Sequence, residues 1–329
     1  MRRFYGVIFI LGVVLLAACN DDNSDQSGKP GEGPGRIELS VTGRVGTVTG
    51  EKLINYVKSL DLFLFRENTN GIYLLTETAS LDKEQLDALT NSTTGSNAGF
   101  TEPKDVDFDN LPIGNYMIVG LGNMLDSTGM ELENANLTGA VIGNTMDQVI
   151  ASVVSGNTAP RLFFGQTERI VLGSAMPVTP QLTLFRKVAM FYLTLENVPS
   201  AVKRIDVGIQ NTYGAFDMTG DFLSNRIISV VSSNEYMFTE DQPQLPIGVI
   251  ALPTVAGQQS AFTLTFYLDN GQVIDIPLQN EYTLKSNTIT KLTATIDANQ
   301  SGGVWKVDLT LSISADVEWN VDQEPGIVI

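Results

Sequence analysis

Enzymes need nucleophiles, acid–base groups or metal ligands, and this chain of 329 residues holds few of them. It has no histidine, which excludes a Ser-His-Asp relay, a Cys-His pair, histidine-ligated zinc and imidazole acid–base catalysis. Ser200-Ala201-Val202-Lys203 fits the S-x-x-K spacing in which a lysine activates a serine. Its partner motifs S-D-N and K-T-G are missing, and Pro199 before it marks a turn between strands. Asp105, Asp107 and Asp109 have the spacing of a calcium loop. However, Asn110 stands where the sharp-turn glycine belongs and Tyr116 where the bidentate glutamate belongs. Val106 and Phe108 alternate with the acids, so a solvated strand face is the better reading. The chain is expected to have no catalytic residue, no metal site and no cofactor.

One sulfur remains. Cys19 is the only cysteine, and it closes a segment in which Arg2 and Arg3 precede an apolar run from Phe4 to Leu16. A basic start, a short apolar run and a small-residue exit have the layout of a secretory signal peptide over residues 1–18. The run is shorter than the ~20 residues that span a bilayer. Leu16-Ala17-Ala18-Cys19 resembles a bacterial lipobox, which implies cleavage before Cys19 and an acylated, palmitate-bearing N-terminus. A thiolate suits the formation of a stable thioether. Two or three acyl chains, at about 0.8 kcal/mol per buried methylene, would make attachment effectively permanent.

Asp and Glu number 37 against 20 Lys and Arg, for a formal net charge of −17. Such a surface repels phosphate backbones, so nucleic acid is not an expected partner. A single cysteine allows no intrachain disulfide, and stability must come from burial. Residues 19–35 run through Asp21, Asp22 and Asp25 into Gly and Pro, with nothing to bury. They form a lipidated flexible tether whose polar stretch spans roughly 20–25 Å.

Strand signals dominate the remainder of the chain. Ile37, Leu39 and Val41 alternate with polar residues, and Leu60 to Phe65 is an apolar run. Asn70-Gly71 reads as a hairpin turn before Ile72 to Leu75. Leu81 to Leu89 suits a short helix. Met146, Val149, Ile150, Val153 and Val154 fall at helical spacing behind Asn144, which predicts an amphipathic helix. A Gly-Ser-Ala-Met-Pro-Val-Thr-Pro segment resets the composition and places a boundary near Pro180. Beyond it come strands over Gln181 to Phe185, Val188 to Leu195, Ile205 to Ile209 and Ala261 to Leu268, then an Asp269-Asn270-Gly271 turn into Val273 to Leu278. Trp305 to Trp319 alternates without interruption over 15 residues, long enough to predict a strand bent across two sheets. The expected class is all-β: antiparallel sandwiches over 36–179 and 180–329, with one or two short helices.

The order Leu62-Phe63-Leu64-Phe65, then Leu111-Pro112-Ile113-Gly114-Asn115-Tyr116-Met117-Ile118-Val119, then Leu184-Phe185-Arg186-Lys187-Val188-Ala189, is similar to the fimbrial subunits of Bacteroidia. Within that group the chain most resembles the minor, lipid-retaining anchor subunits. The resemblance implies two tandem transthyretin-like Greek-key sandwiches and display on the outer membrane through the lipid anchor. It also implies joining to other fimbrial subunits by β-strand addition. Asp21, Asp22 and Asp25 resemble the acidic surface-export patch of such lipoproteins. In shaft subunits a protease cuts after an arginine in the opening strand, and Arg36 and Arg44 resemble that arginine. The terminal segment with Val321, Ile327, Val328 and Ile329 suits a donated strand, although Pro325 removes one ladder bond. Asp126-Ser127-Thr128 resembles the glycosylation site of exported Bacteroidia proteins, with Ser127 as acceptor.

The leading reading is therefore a lipid-anchored fimbrial subunit that tethers or terminates a pilus. The alternatives are a shaft or tip fimbrillin matured by proteolysis and a glycan-binding surface lipoprotein. Sugar sites use exposed aromatics, whereas Trp305 and Trp319 fall on the apolar side of one strand.

Overall fold

Period-two alternation and turn residues account for most of the architecture. The computed structural model describes residues 34–44, 56–86, 106–173, 176–236, 244–301 and 304–319, and these are mostly strand. The N-terminal half contains β1 (Gly35–Glu38), β2 (Ser40–Arg44), β3 (Leu60–Glu67), β4 (Tyr73–Leu81), β5 (Asp107–Leu111), β6 (Gly114–Gly122), β7 (Ala135–Thr138), β8 (Ile150–Val153), β9 (Phe163–Gln166), β10 (Ile170–Leu172) and β11 (Gln181–Arg186). The C-terminal half contains β12 (Ala189–Glu196), β13 (Val202–Tyr213), β14 (Ala215–Asp217), β15 (Ile227–Glu235), β16 (Gln244–Ala251), β17 (Phe262–Leu268), β18 (Val273–Pro277), β19 (Thr288–Ser301) and β20 (Val304–Glu318).

A large sheet in the order β2-β11-β9-β6-β3-β4, with β10 also on β6, organises the first half. β3 explains why its run is apolar throughout, because both of its faces are covered. Leu62 and Leu64 enter a core with Ile37, Leu39, Phe108 and Leu184 beneath the β1–β5 pair. Phe63 and Phe65 enter another core on the opposite face. In the second half, two four-stranded sheets, β16-β12-β19-β20 and β15-β13-β17-β18, enclose a core that includes Phe191, Leu193, Val207, Phe262 and Leu292.

The core beneath Phe63 and Phe65 joins the halves. It holds Val119, Leu121 and Phe164 of the large sheet together with Met190, Ile289 and Trp319 from the C-terminal half. A small sheet β14-β8-β7 spans the same region, combining one strand of the second half with two of the first.

Three expectations change. Residues 146–154 are not an amphipathic helix: a 3-10 turn, Met146–Gln148, is followed by β8. Thr145 opens the turn, its N–H donating to Gln148 Oε1 at 3.0 Å, and Val149, at φ −92° and ψ 113°, already has extended backbone. The β-branched residues then take a period of two, with Val149, Ala151 and Val153 buried. β20 does not bend across two sheets, since it pairs with β19 alone among the described residues. Instead it serves two cores: Val307 and Leu309 pack in the C-terminal sandwich, while Val317 and the following Trp319 reach the joining core. Finally, β11, expected beyond the boundary near Pro180, hydrogen-bonds with β2 and β9 of the first sheet. The changeover between sheet systems falls at Lys187-Val188. A short helix does begin at 83–86. Reciprocal bonds from the Asp82 N–H to Gln85 Oε1 and from the Gln85 N–H to Asp82 Oδ1 cap it, both 2.9 Å.

Candidate strand-exchange edge

The opening strand is inserted like a plug. Ile37, Leu39 and Val41 are at most 2% exposed. Burying each such side chain is worth on the order of 1.5–3 kcal/mol. The backbone between them is bonded on two sides. Glu38 N–H donates to Val178 O at 3.0 Å, Val178 N–H to Arg36 O at 3.1 Å, Leu39 N–H to Val106 O at 3.2 Å and Ser40 N–H to Pro180 O at 3.1 Å. β1 pairs antiparallel with β5, whereas β2 pairs parallel with β11, from Ser40 opposite Gln181 to Arg44 opposite Phe185. Gly35 enters this site against Leu172, where a Cβ would lie 2.6 Å from a leucine methyl. Any side chain at this position would have to displace Leu172.

Removing residues 35–44 would leave an apolar trough beside Phe108, Leu182 and Leu184 and an unpaired edge on β11. A bare edge beside an apolar trough is what an incoming extended segment needs. The arrangement can therefore bind a strand; among the described residues no group of three or more acids and cysteines is placed to hold a metal.

Arg36 and Arg44 occupy different positions in this strand. Arg36 lies within paired β1, and its guanidinium meets Asp107, Asp109 at 3.4 Å and Glu38 at 3.4 Å. Burial pushes the Asp107 carboxyl up, against the pull of Arg36. Asp107 and Asp109 thus serve a strand face, with Phe108 buried between them. Asp105 lies outside the described residues. Arg44 is the last residue of β2.

Cys19, Leu16, Ala17, Ala18, Asp21, Asp22, Asp25, Val321, Ile327, Val328 and Ile329 all lie outside the described residues. Ser127 is exposed in a turn where Asp126 Oδ1 accepts bonds from the Thr128 N–H and hydroxyl, both 2.7 Å, and from the Met130 N–H at 3.0 Å. The Thr128 hydroxyl, followed by these backbone bonds, holds the Asp126 carboxyl below its usual range. Ser200 and Lys203 are exposed at the turn into β13.

The sequence drew no attention to what happens where the first sheet ends. Arg186 is 1% exposed. It donates to Trp319 O at 2.9 Å and Asn287 Oδ1 at 3.3 Å, and lies 4.2 Å from the Trp319 ring centroid. Trp319 N–H donates in turn to Asn287 O at 3.0 Å. Beside it, Lys187 Nζ donates to Gly220 O at 2.5 Å and sits 4.4 Å from the Phe222 ring centroid. Burial lowers the Lys187 pKa, with Asp221 and Asp217 opposing. The signal was two adjacent cations between apolar residues, Phe185 and Val188, a setting in which charge has to be paired or stacked.

The comparisons agree with this architecture. Residues 26–324 match the family model described as "Fimbrillin-A associated anchor proteins Mfa1 and Mfa2". The fimbrial anchor protein Mfa2 from Porphyromonas gingivalis is similar in structure, with a TM-score of 0.51, 14% identity and coverage of 84% of this chain and 97% of that one. A Bacteroides ovatus protein described as "a putative adhesin" gives a TM-score of 0.54 at 15% identity, covering 86% and 95%. A Bacteroides thetaiotaomicron structure described under "putative polysaccharide binding proteins" gives 0.51 at 12%, covering 80% and 92%. A comparison with curated protein sequences finds no match. At these identities the structural likenesses speak to the fold, while the family match spans most of the sequence: the chain belongs to the family of fimbrillin-A associated anchor proteins.

Proposed function

We propose that this protein is a lipid-anchored, non-catalytic fimbrial subunit of the outer-membrane surface, which holds or ends a pilus by β-strand addition. The observation that carries the reading is the opening strand. Its three apolar residues complete a core, and its arginine is neutralised by carboxylates from β1 and β5. A subunit that keeps this strand keeps whatever is attached ahead of it, and the lipobox cysteine lies ahead of it. Cleavage after Arg44 would discard the lipid together with the strand that covers the β11 edge, whereas cleavage after Arg36 would discard the lipid and leave β2 in place. Losing both lipid and strand is the logic of a shaft subunit, the opposite of an anchor. Membership of the anchor family supports association with other fimbrial subunits. The C-terminal tail, with Val321 and Ile327 to Ile329, is the segment offered for donation, and it starts from a residue pinned by Arg186.

The test is Cys19→Ala expressed in the native host. The reading expects whole-cell palmitate label to vanish from the protein and assembled fibres to appear in the medium. Fibres that stay on the cell without acylation would overturn it.

A further inference from the structure

Away from the opening strand, the C-terminal sandwich carries a groove of about 740 Å³ where β13, β17 and the segment after β18 meet. That size lies within the range of small-molecule sites. Phe262 and Leu278 form its apolar floor. Four amide side chains, Gln210, Gln259, Gln279 and Asn280, line it, and all four are exposed. None of the four amide groups, nor the carboxylate of Glu281, makes a hydrogen bond or ion pair with the protein among the described residues. Tyr282 is half-buried, and its ring meets Phe262 edge-on at 5.5 Å.

The frame beneath is tied by backbone bonds. Ser260 and Tyr282 exchange both of theirs, at 2.8 and 3.1 Å, Leu278 N–H donates to Phe262 O at 2.9 Å, and Gln210 N–H donates to Ala261 O at 2.9 Å. The lining segments are therefore held in register before any ligand arrives, which lowers the ordering cost of binding.

We infer that this groove is a binding site for a neutral oligosaccharide. Each carboxamide offers donors and an acceptor together, which matches hydroxyl groups that are also both. A partly exposed tyrosine beside an apolar floor suits the C–H faces of a pyranose ring. No lysine or arginine lines the groove, its one ionisable acid is Glu281, and the chain carries a net charge of −17. Phosphorylated, sulfated and uronic ligands are thus disfavoured. The site is separate from the strand edge and does not depend on anchoring.

The experiment is calorimetric titration of the purified full chain with maltotriose, cellotriose, mannotriose and a sulfated trisaccharide. At least one neutral trisaccharide should bind with submillimolar affinity, and the sulfated one should not. Gln279→Ala with Asn280→Ala should weaken binding by about tenfold or more, and circular dichroism should be unchanged because both side chains are exposed and unbonded. Tyr282→Phe should retain binding and Tyr282→Ala should lose it. No binding by any neutral trisaccharide would overturn the inference. So would preference for the sulfated ligand, or affinity indifferent to the Gln279 and Asn280 changes.

Discussion

The two halves of the molecule finish their sheets by opposite means. In the first, the edge strand β2 comes from the beginning of the chain and pairs with β11 in parallel over five residues. In the second, β20 folds back on β19 over thirteen antiparallel pairs. A tight hairpin forms with little loop-closure cost, whereas a parallel partner has to be brought from far along the chain. The last strand of the first sheet is therefore held by a shorter ladder than that of the second, and by no hairpin. The strand exchange proposed above would fall in the half whose closing strand is held by side-chain burial and a short ladder.

The strongest way to break this contrast is Leu39→Asp, which puts an unpaired charge among Ile37, Phe108 and Leu184. A loss of about 3–5 kcal/mol is expected. Hydrogen exchange should show protection lost in β9 and β11 and kept in β13 and β17; equal loss everywhere would erase the distinction. Slightly smaller is Trp319→Ala, which removes a fully buried indole and the lid over Arg186. About 3–4 kcal/mol is expected, and urea unfolding should split into two transitions as the halves uncouple.

Arg36→Gln should cost less than either of these, because its ion pairs are partly exposed and screened by solvent. The cost should shrink further in high salt, as measured by thermal unfolding at two ionic strengths. Smallest is Asp61→Asn. Burial raises the Asp61 pKa, with the Ser80 hydroxyl, 2.6 Å away, pulling it back. The folded chain then holds this proton more tightly than the unfolded chain. Stability from this group falls as pH rises from about 4 through the raised folded value. The asparagine variant should lose that slope and match or slightly exceed the parent at neutral pH, as read from urea midpoints across the acid range.

The same contrast explains what the residues disclosed in advance. β17 and β18 were legible because Asp269-Asn270-Gly271 supplies a turn, and Gly271 takes φ +83°. Ile37, Leu39 and Val41 were legible as a strand, and Trp305 to Trp319 as a long one, since alternation survives any tertiary context. β8 was misread because Val149 and Val153 lie four apart, a spacing shared by one face of a helix and one face of a strand. What decided it was distant: Val153 N–H donates to Gly214 O at 2.8 Å and Met218 N–H to Val149 O at 3.1 Å. β11 was legible as a strand over Gln181 to Phe185, but its partners β2 and β9 were not, because they are set by tertiary pairing alone. At the candidate edge, the strand and both arginines were visible. The carboxylate clasp on Arg36 was not, because Asp107 lies 71 residues away. Nor was the groove around Tyr282, whose walls come from three separated segments.

The most direct test of the account is the intact mass of the protein recovered from native fibres. The account predicts a chain that starts at Cys19 and carries two or three acyl groups. A non-acylated chain starting at Ile37 or Val45 would contradict it.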